Sequence, residues 1–203
     1  YWDSNGGAGL GGAGTWSSST SDTEWTTESG GVSGDGPYAW GSTSGTDYYA
    51  GAGLTANFAG TAGTVTVSGT VDTREGLRVE TDGYTLSSGT IALNGTGSSN
   101  NTITVTTGTT AISSALTGSS GLIKEGGGTL RLDSANTGLS GNVTINNGTL
   151  TANATNSIAL SGSDRTIINS GGSLLITANN SVSGDITLDG GTLSVNGTTT
   201  DTV

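Results

Sequence analysis

The feature that most constrains the fold of this chain is a strict alternation of aliphatic residues with polar, mostly hydroxyl-bearing ones. In residues 64–67, 129–132 and 192–195 every second residue is Val or Leu. An extended strand of such a sequence has one apolar side and one polar side. Each run is followed within two residues by Gly, Asn or Asp, which adopt the positive φ angles that turns require. The pattern predicts short, half-buried β-strands joined by turns.

The strands recur at a nearly constant spacing. A Gly-(Thr/Ser)-aliphatic step begins at Gly128, Gly148, Gly172 and Gly191, at intervals of 20, 24 and 19 residues. A longer copy is also visible, because residues 140–150 match residues 183–193 at an offset of 43. A period near 20 with short strands is typical of one rung of a parallel β-solenoid. One rung buries too little apolar surface to fold alone, but stacked rungs share a continuous core.

An antiparallel sandwich is the competing architecture, because residues 143–145 and 150–152 could pair across a short loop at 146–147. The long-range copy favours the solenoid. We therefore predict an all-β fold, a parallel β-helix with rungs of about 20 residues. The residues expected to form its core are Leu130, Leu132, Ile145, Leu150, Leu174 and Leu193.

Composition excludes several functional classes. The chain has no Cys and no His, which excludes a Ser-His-Asp triad, a thiol nucleophile and the usual zinc sites. A net charge of −11 offers no basic surface to nucleic acid. No apolar run approaches 18 residues, so we expect no membrane insertion by a helix of this segment. Only 10% of residues are charged and the apolar ones are regularly ordered, which argues against disorder. We expect no cofactor and no metal.

All ten aromatic residues lie within residues 1–84, and the Gly-rich segment 1–60 holds the four tryptophans Trp2, Trp16, Trp25 and Trp40. We expect residues 1–60 to form a cap or irregular first rungs, and residues 61–203 to form the solenoid. Two roles are open for the tryptophans. They could pack over the exposed end of the solenoid, which needs a cap. They could instead form a surface that stacks on glycans or on a partner.

Residues 121–151 carry the most specific motif. They follow the pattern G-L-x-K-x-G-x-G-T-L-x-L, and then N, G, I, G and L at later fixed positions, from Gly121 and Leu122 to Gly148 and Leu150. This segment strongly resembles the passenger-associated strand repeat of bacterial autotransporters. The resemblance implies a right-handed parallel β-helix outside a Gram-negative-type cell, with an adhesive or structural role. Because the sequence begins without Met, we expect a mature form or a piece of a longer chain.

Candidate chemistry is sparse. The densest group of carboxylates comprises Asp72, Glu75, Glu80 and Asp82, interleaved with Arg74 and Arg78. We interpret it as a solvated, self-paired turn region rather than a pair of catalytic acids. Asp185 and Asp189 are expected at turns or corners, not as calcium ligands, and Lys124 with Glu125 is expected to form an exposed ion pair.

Two further motifs have weak functional value. Residues 126–128 are glycines without the Lys-Ser/Thr tail of a phosphate loop. Asn142, Asn153 and Asn196 begin formal glycosylation triplets, which arise by chance in a chain this rich in Asn and Thr.

The sequence therefore predicts a non-catalytic, extracellular, cell-surface β-solenoid with a structural or adhesive role. The expected partners are further copies of the chain or host and matrix surface glycans. The alternative is a subunit that stacks end to end into an extracellular filament, since open strand edges pair if nothing blocks them. An enzyme acting on polysaccharide is the weakest of the three hypotheses.

Overall fold

The computed structural model describes residues 1–4, 9–19, 24–25, 40, 55–73, 75–93 and 101–196 of the 203 in the chain. Within these ranges the ordered elements are β-strands and there is no helix. The strands in chain order are β1 (Gly14–Ser17), β2 (Ala56–Phe58), β3 (Thr64–Ser68), β4 (Thr70–Asp72), β5 (Leu77–Val79), β6 (Thr85–Ser87), β7 (Thr90–Ala92), β8 (Thr102–Val105), β9 (Thr109–Ile112), β10 (Ala115–Gly118), β11 (Leu122–Glu125), β12 (Thr129–Leu132), β13 (Gly138–Leu139), β14 (Val143–Ile145), β15 (Gly148–Ala152), β16 (Ile158–Ala159), β17 (Arg165–Asn169), β18 (Gly172–Ile176), β19 (Val182–Ser183), β20 (Asp185–Asp189) and β21 (Thr192–Val195).

Successive strands join different sheets, and the chain returns to each sheet once per rung. The first sheet has the order β1-β3-β6-β9-β12-β15-β18-β21, and the second has the order β2-β5-β8-β11-β14-β17-β20. A third, shorter side is formed by β4, β7, β10 and β13, and a separate pair of β16 and β19 lies in later rungs. Every pairing between two of these strands is parallel, which no hairpin sandwich would show, and the antiparallel contacts in the described residues are isolated bridges such as Trp2 with Trp25. The predicted β-solenoid is confirmed.

The rung length follows from the register of the first sheet. Inward positions in direct register are Val65, Leu86, Ile112, Leu132, Ala152, Ile176 and Val195, at steps of 21, 26, 20, 20, 24 and 19 residues. The predicted period of about 20 is therefore right. The 43-residue copy is two rungs, because two steps of register join Leu150 to Leu193 through Leu174.

The core is built as columns of side chains that run along the axis. Leu130, Leu150, Leu174 and Leu193 are consecutive partners in the first sheet, as the stacked-rung argument requires. The first three are fully buried, and Leu193 in the last described rung is partly buried against the same core. Leu132 and Ile145 are also fully buried. Each rung thus covers the aliphatic side chains of the rung before it, and this is how short strands form a continuous core.

Part of the aromatic N-terminal segment belongs to the same stack. Strand β1 pairs with β3 at the end of the first sheet, and β2 pairs with β5 at the end of the second. Trp2 adds a backbone hydrogen bond of 2.8 Å to the carbonyl of Asn57. The proposed division at residue 60 stays a prediction.

Some corners between sheets require glycine. Gly148 has a φ of +68°, and a Cβ there would meet the carbonyl oxygens of Gly126 and Gly128 in the preceding rung. Any side chain would therefore both strain the backbone and separate two rungs.

Candidate functional site

The four tryptophans form one cluster at the N-terminal end of the solenoid. Trp2 and Trp16 are fully buried, and Trp25 and Trp40 are nearly so. Ring centroids lie 5.4 Å apart for Trp2 and Trp25, 5.5 Å for Trp16 and Trp40, and 4.4 Å for Trp25 and Trp40. The ring centroid of Phe58 lies 5.8 Å from that of Trp2, 5.6 Å from that of Trp16 and 5.5 Å from that of Trp25. Four of these six pairs are edge-to-face, the geometry that aromatic packing prefers, and the other two are tilted.

Polar anchors connect this cluster to the first rungs. The indole Nε1 of Trp2 donates to the carbonyl of Gly12 at 3.0 Å, and that of Trp40 donates to the carbonyl of Asp72 at 2.6 Å. The hydroxyl of Tyr84 donates to the carbonyl of Ala59 at 2.7 Å. Burial raises the pKa of Tyr84 to about 12. These bonds link residues far apart in sequence, so the cluster holds the end of the solenoid together.

These tryptophans are buried, and whether they also contact a ligand stays a prediction. A ring that stacks on a sugar must present one face to solvent, and here the rings cover one another. The Nε1 of Trp16 is buried without a hydrogen-bond partner, which places it deep in the cluster rather than at a wet surface.

Lys124 lies inside the solenoid, so the predicted exposed ion pair with Glu125 is wrong. Its side chain is fully buried, and its Nζ donates to the carbonyls of Glu125 and Gly126 at 2.8 Å and of Asn147 at 3.1 Å. Burial lowers its pKa to about 8, an effect that the charge of Glu125 opposes. The alternation in residues 122–125 would have shown this, because Lys124 has the same parity as the inward Leu122.

Polar ladders run along the corners between rungs. The Oε1 of Glu125 accepts from the Nδ2 of Asn146 at 2.6 Å, and the Oδ1 of Asn146 accepts from the Nδ2 of Asn169 at 2.6 Å. At another corner Asp133 accepts from Asn153 at 2.7 Å, and Asn153 accepts from the hydroxyl of Thr177 at 2.7 Å. Each amide or hydroxyl therefore donates toward its N-terminal neighbour, and the carboxylates of Glu125 and Asp133 accept at the start of the ladders. The ladders align the rungs in register.

Asn136 is a buried polar residue that sequence reasoning did not single out for this role. Its Oδ1 accepts from the backbone N of Leu116 at 2.7 Å, and its Nδ2 donates to the carbonyl of Ser157 at 2.8 Å. One amide thus joins three successive rungs on the third side of the solenoid. Its place in the 121–151 motif was the available signal.

The carboxylates of the acidic segment make structural contacts. Glu80 accepts from the Nε of Arg78 at 2.8 Å, which agrees with a self-paired region. The Oδ1 of Asp82 accepts from the backbone N of Thr109 in the next rung at 2.6 Å. Asp72 ends β4, Glu75 lies in the turn after it, and Arg74 lies outside the described residues.

The remaining candidates lie at corners and strand ends. Asp185 and Asp189 are the first and last residues of β20, and residues 126–128 turn the chain from β11 to β12. The amides of Asn142 and Asn153 both bond to neighbouring rungs. Asn196 is the last described residue of the chain. Among the described residues no group of three or more carboxylates could hold a metal ion.

The described ranges contain no helix long and apolar enough to cross a membrane.

Comparison with known proteins identifies a relative. The chain is 44% identical over 127 residues to the protein named "Adhesin BmaC autotransporter" of Brucella suis biovar 1 (strain 1330). The match covers 62% of this chain and 3% of that relative, so the chain corresponds to a small part of a much longer protein. No protein-family model matches the chain, and no solved structure matches it significantly. The similarity confirms the resemblance to autotransporter passengers and agrees with the predicted extracellular, outer-surface location.

Proposed function

We propose that this chain is a non-catalytic, adhesive or structural module of an autotransporter-type passenger on the outer surface of a Gram-negative bacterium. The observation that carries the proposal is the 44% identity over 127 residues to an autotransporter that is named an adhesin. The stack of rungs supports it, because a solenoid offers long, regular faces to a partner.

The outward faces of the sheets are the proposed contact surface, since the tryptophans are buried. On the first sheet Thr129, Thr149 and Ser173 stand in direct register, one per rung, and are partly exposed. Neighbouring rungs lie about 4.8 Å apart, so their hydroxyl groups form a regular polar row. Weak contacts repeated along such a row add up through multivalency. Surface glycans or matrix proteins of a host are the proposed partners.

The test is display of residues 1–203 on a non-adherent Gram-negative strain. Adherence to host cells and to glycan- or matrix-coated surfaces should exceed that of the empty display vector. Soluble purified protein should compete for the same sites. A matched control is Leu150→Asp, which introduces a charge into the core and should remove both the fold and the adherence. A displayed, folded chain that adheres no better than the vector would contradict the proposal.

The role of the tryptophans can be separated from adhesion. Trp16→Phe keeps an aromatic ring in the cluster, whereas Trp16→Ala leaves a large cavity that costs about 3–5 kcal/mol. We expect Trp16→Phe to keep both fold and adherence, and Trp16→Ala to reduce the cooperativity of unfolding. Should a fully folded Trp16 variant lose glycan binding alone, the contact surface would lie at the cluster rather than on the sheets.

A second candidate function is a subunit of a self-assembling extracellular filament. The observation that favours it is the exposed apolar side of the last described rung, where Leu188 and Val195 are about half exposed. The four tryptophans are buried among the first rungs, and head-to-tail stacking would bring a second copy against that end. Electron microscopy of the purified protein tests this candidate, and short single rods at high concentration would exclude it.

An assay for polysaccharide cleavage tests the proposal that the chain is non-catalytic. Glu80 and Asp82 belong to the densest group of carboxylates in the sequence, and both are engaged in the contacts given above. We expect no release of reducing ends from a panel of bacterial and host polysaccharides. Cleavage that disappears in Glu80→Gln or Asp82→Asn would show an enzyme instead.

A further inference from the structure

One outward row of the first sheet carries a hydroxyl group in each of five successive strands, β9, β12, β15, β18 and β21. Its members are direct partners along the sheet and are here called the hydroxyl row: Thr109, Thr129, Thr149, Ser173 and Thr192. The first four are partly exposed and Thr192 is exposed. Neighbouring strands lie about 4.8 Å apart, so the row spans about 19 Å along the solenoid axis.

The hydroxyl groups of this row are not used to hold the solenoid together. At the corners, the hydroxyls of Thr106 and Thr177 donate to carbonyls of the preceding rung at 3.0 and 3.1 Å. No hydroxyl of the row has a hydrogen-bond partner within the part of the chain that the structure describes. Each one can both donate and accept, so the row offers an unused donor and acceptor at every rung.

The first sheet carries almost no charge. Arg131 is the only charged residue in its eight strands. Its guanidinium makes three hydrogen bonds, at 2.7, 2.8 and 2.9 Å, to the carboxylate of Asp133. These strands therefore present no unpaired cation, whereas the whole chain has a net charge of −11. A polyanion would find no partner on this face and would be repelled by the chain, which favours an uncharged ligand.

The spacing of the row fits a polymer better than a small molecule. An extended chain of sugar rings advances by about one rung spacing per ring, so each ring can meet one hydroxyl of the row. Four of the five members are Thr, which presents a methyl group beside its hydroxyl. Sugar rings have the same combination of hydroxyl groups and apolar C–H surface. One such contact is weak, but contacts repeated along one polymer add up.

We propose that the hydroxyl row binds an uncharged, linear polysaccharide that lies along the solenoid axis. The inference rests on the proposed function, because it names the class of glycan that the outward face of the first sheet takes. Glycans that carry sulfate or carboxylate groups are not ligands of this face, because Arg131 is already paired with Asp133.

The test is calorimetric titration of residues 1–203 with β-1,4-linked oligomers of glucose, of mannose and of N-acetylglucosamine, from disaccharide to octasaccharide. In at least one series we expect the Kd to fall about threefold with each added ring. The fall should end at about five rings, because the row has five hydroxyls. Hyaluronate of matched length carries carboxylates and should bind at least about tenfold more weakly than that series.

A pair of variants locates the binding surface. Thr129→Val with Thr149→Val removes two neighbouring hydroxyls and keeps the β-branched shape that strands favour. We expect about tenfold weaker binding of the octasaccharide, or more. Thr144→Val is the matched control, since Thr144 faces outward on the second sheet, and its Kd should equal that of the original chain. Urea denaturation should show that all three chains are folded.

Three results would overturn the inference: no binding of any series, an affinity that does not depend on length, or equal losses in the two variants. Tighter binding of hyaluronate would overturn it as well, because the ligand would then be acidic. A displayed chain that adheres to host cells while no oligomer binds would sink this inference and leave the proposed function standing. A folded chain that neither adheres nor binds would contradict both.

Discussion

Replacing Leu150 by Ala should destabilise this chain far more than the same change at Leu188. Leu150 is fully buried, and its direct partners Leu130 and Leu174 lie in the rungs before and after it. Removing a buried Leu side chain costs about 2–5 kcal/mol, and the cost is highest where neighbours cannot collapse into the cavity. Rungs held on both sides by backbone ladders leave little room to collapse. We therefore expect about 4 kcal/mol for Leu150→Ala.

Leu188→Ala is the matched control, since it removes the same atoms from a side chain that is 55% exposed. The loss of apolar burial there corresponds to about 1 kcal/mol or less. Equilibrium urea denaturation of both variants measures the difference. Hydrogen exchange should also show faster opening of β12 and β18, the neighbours of β15, in Leu150→Ala. Equal costs for the two substitutions would refute the shared core on which the whole interpretation depends.

Four further predictions concern buried polar groups and a corner glycine. The pKa of Lys124 is lowered to about 8 from its ordinary 10.5, so between these pH values the unfolded chain binds more protons than the folded chain. The free energy of unfolding should therefore rise from about pH 8 to 10, and Lys124→Met should remove that rise. The pKa of Tyr84 is raised to about 12 from 10, so the folded chain keeps its proton longer, and stability should fall between pH 10 and 12 in the original chain but not in Tyr84→Phe. Both slopes are read from urea titrations at a series of pH values, and slopes that persist in the variants would contradict these assignments. Asn136→Ala should cost about 2–4 kcal/mol in urea denaturation, because it leaves two buried backbone groups unpaired, and a cost below 1 kcal/mol would argue against the amide bridge. Gly148→Ala should lower the melting temperature more than Gly162→Ala. Both glycines have a φ of +68°, but only Gly148 faces backbone oxygens of the preceding rung. Equal shifts of the melting temperature would show that only the backbone angle matters.

Much of the fold could be predicted from sequence, because one repeat determines both strand and stack. The alternation of apolar and polar residues identifies the inward positions. The 43-residue offset between residues 140–150 and 183–193 corresponds to two rungs, because Leu150 pairs with Leu174 and Leu174 pairs with Leu193. The exposed position predicted for Lys124 is wrong because a charged residue type favours the surface, whereas the alternation in β11 places this residue on the inward side. A charged residue in an inward position is tolerated here since three carbonyls surround its ammonium group.

The functional surface was harder to predict than the core. Aromatic residues in a Gly-rich segment fit both a cap and a binding surface, and the role of the four tryptophans stays a prediction that the Trp16 variants test. The bridging role of Asn136 depends on three rungs that are about 20 residues apart, so its fixed place in the 121–151 motif is the one signal that the sequence offers for it. Sequence periodicity reports which side of a strand is buried, but not which polar side chains meet across rungs.

The polar ladders explain how a chain with few large aliphatic residues can still hold a unique register. A shift of one residue between two strands would move Leu150 out of its column, and it would also separate Asn146 from Glu125 and from Asn169. Apolar and polar contacts therefore penalise the same error. This coupling gives a reason for Asn and Thr at the corners. The aliphatic columns drive stacking, and the donors and acceptors around them select one alignment, which keeps the outward faces regular over many rungs.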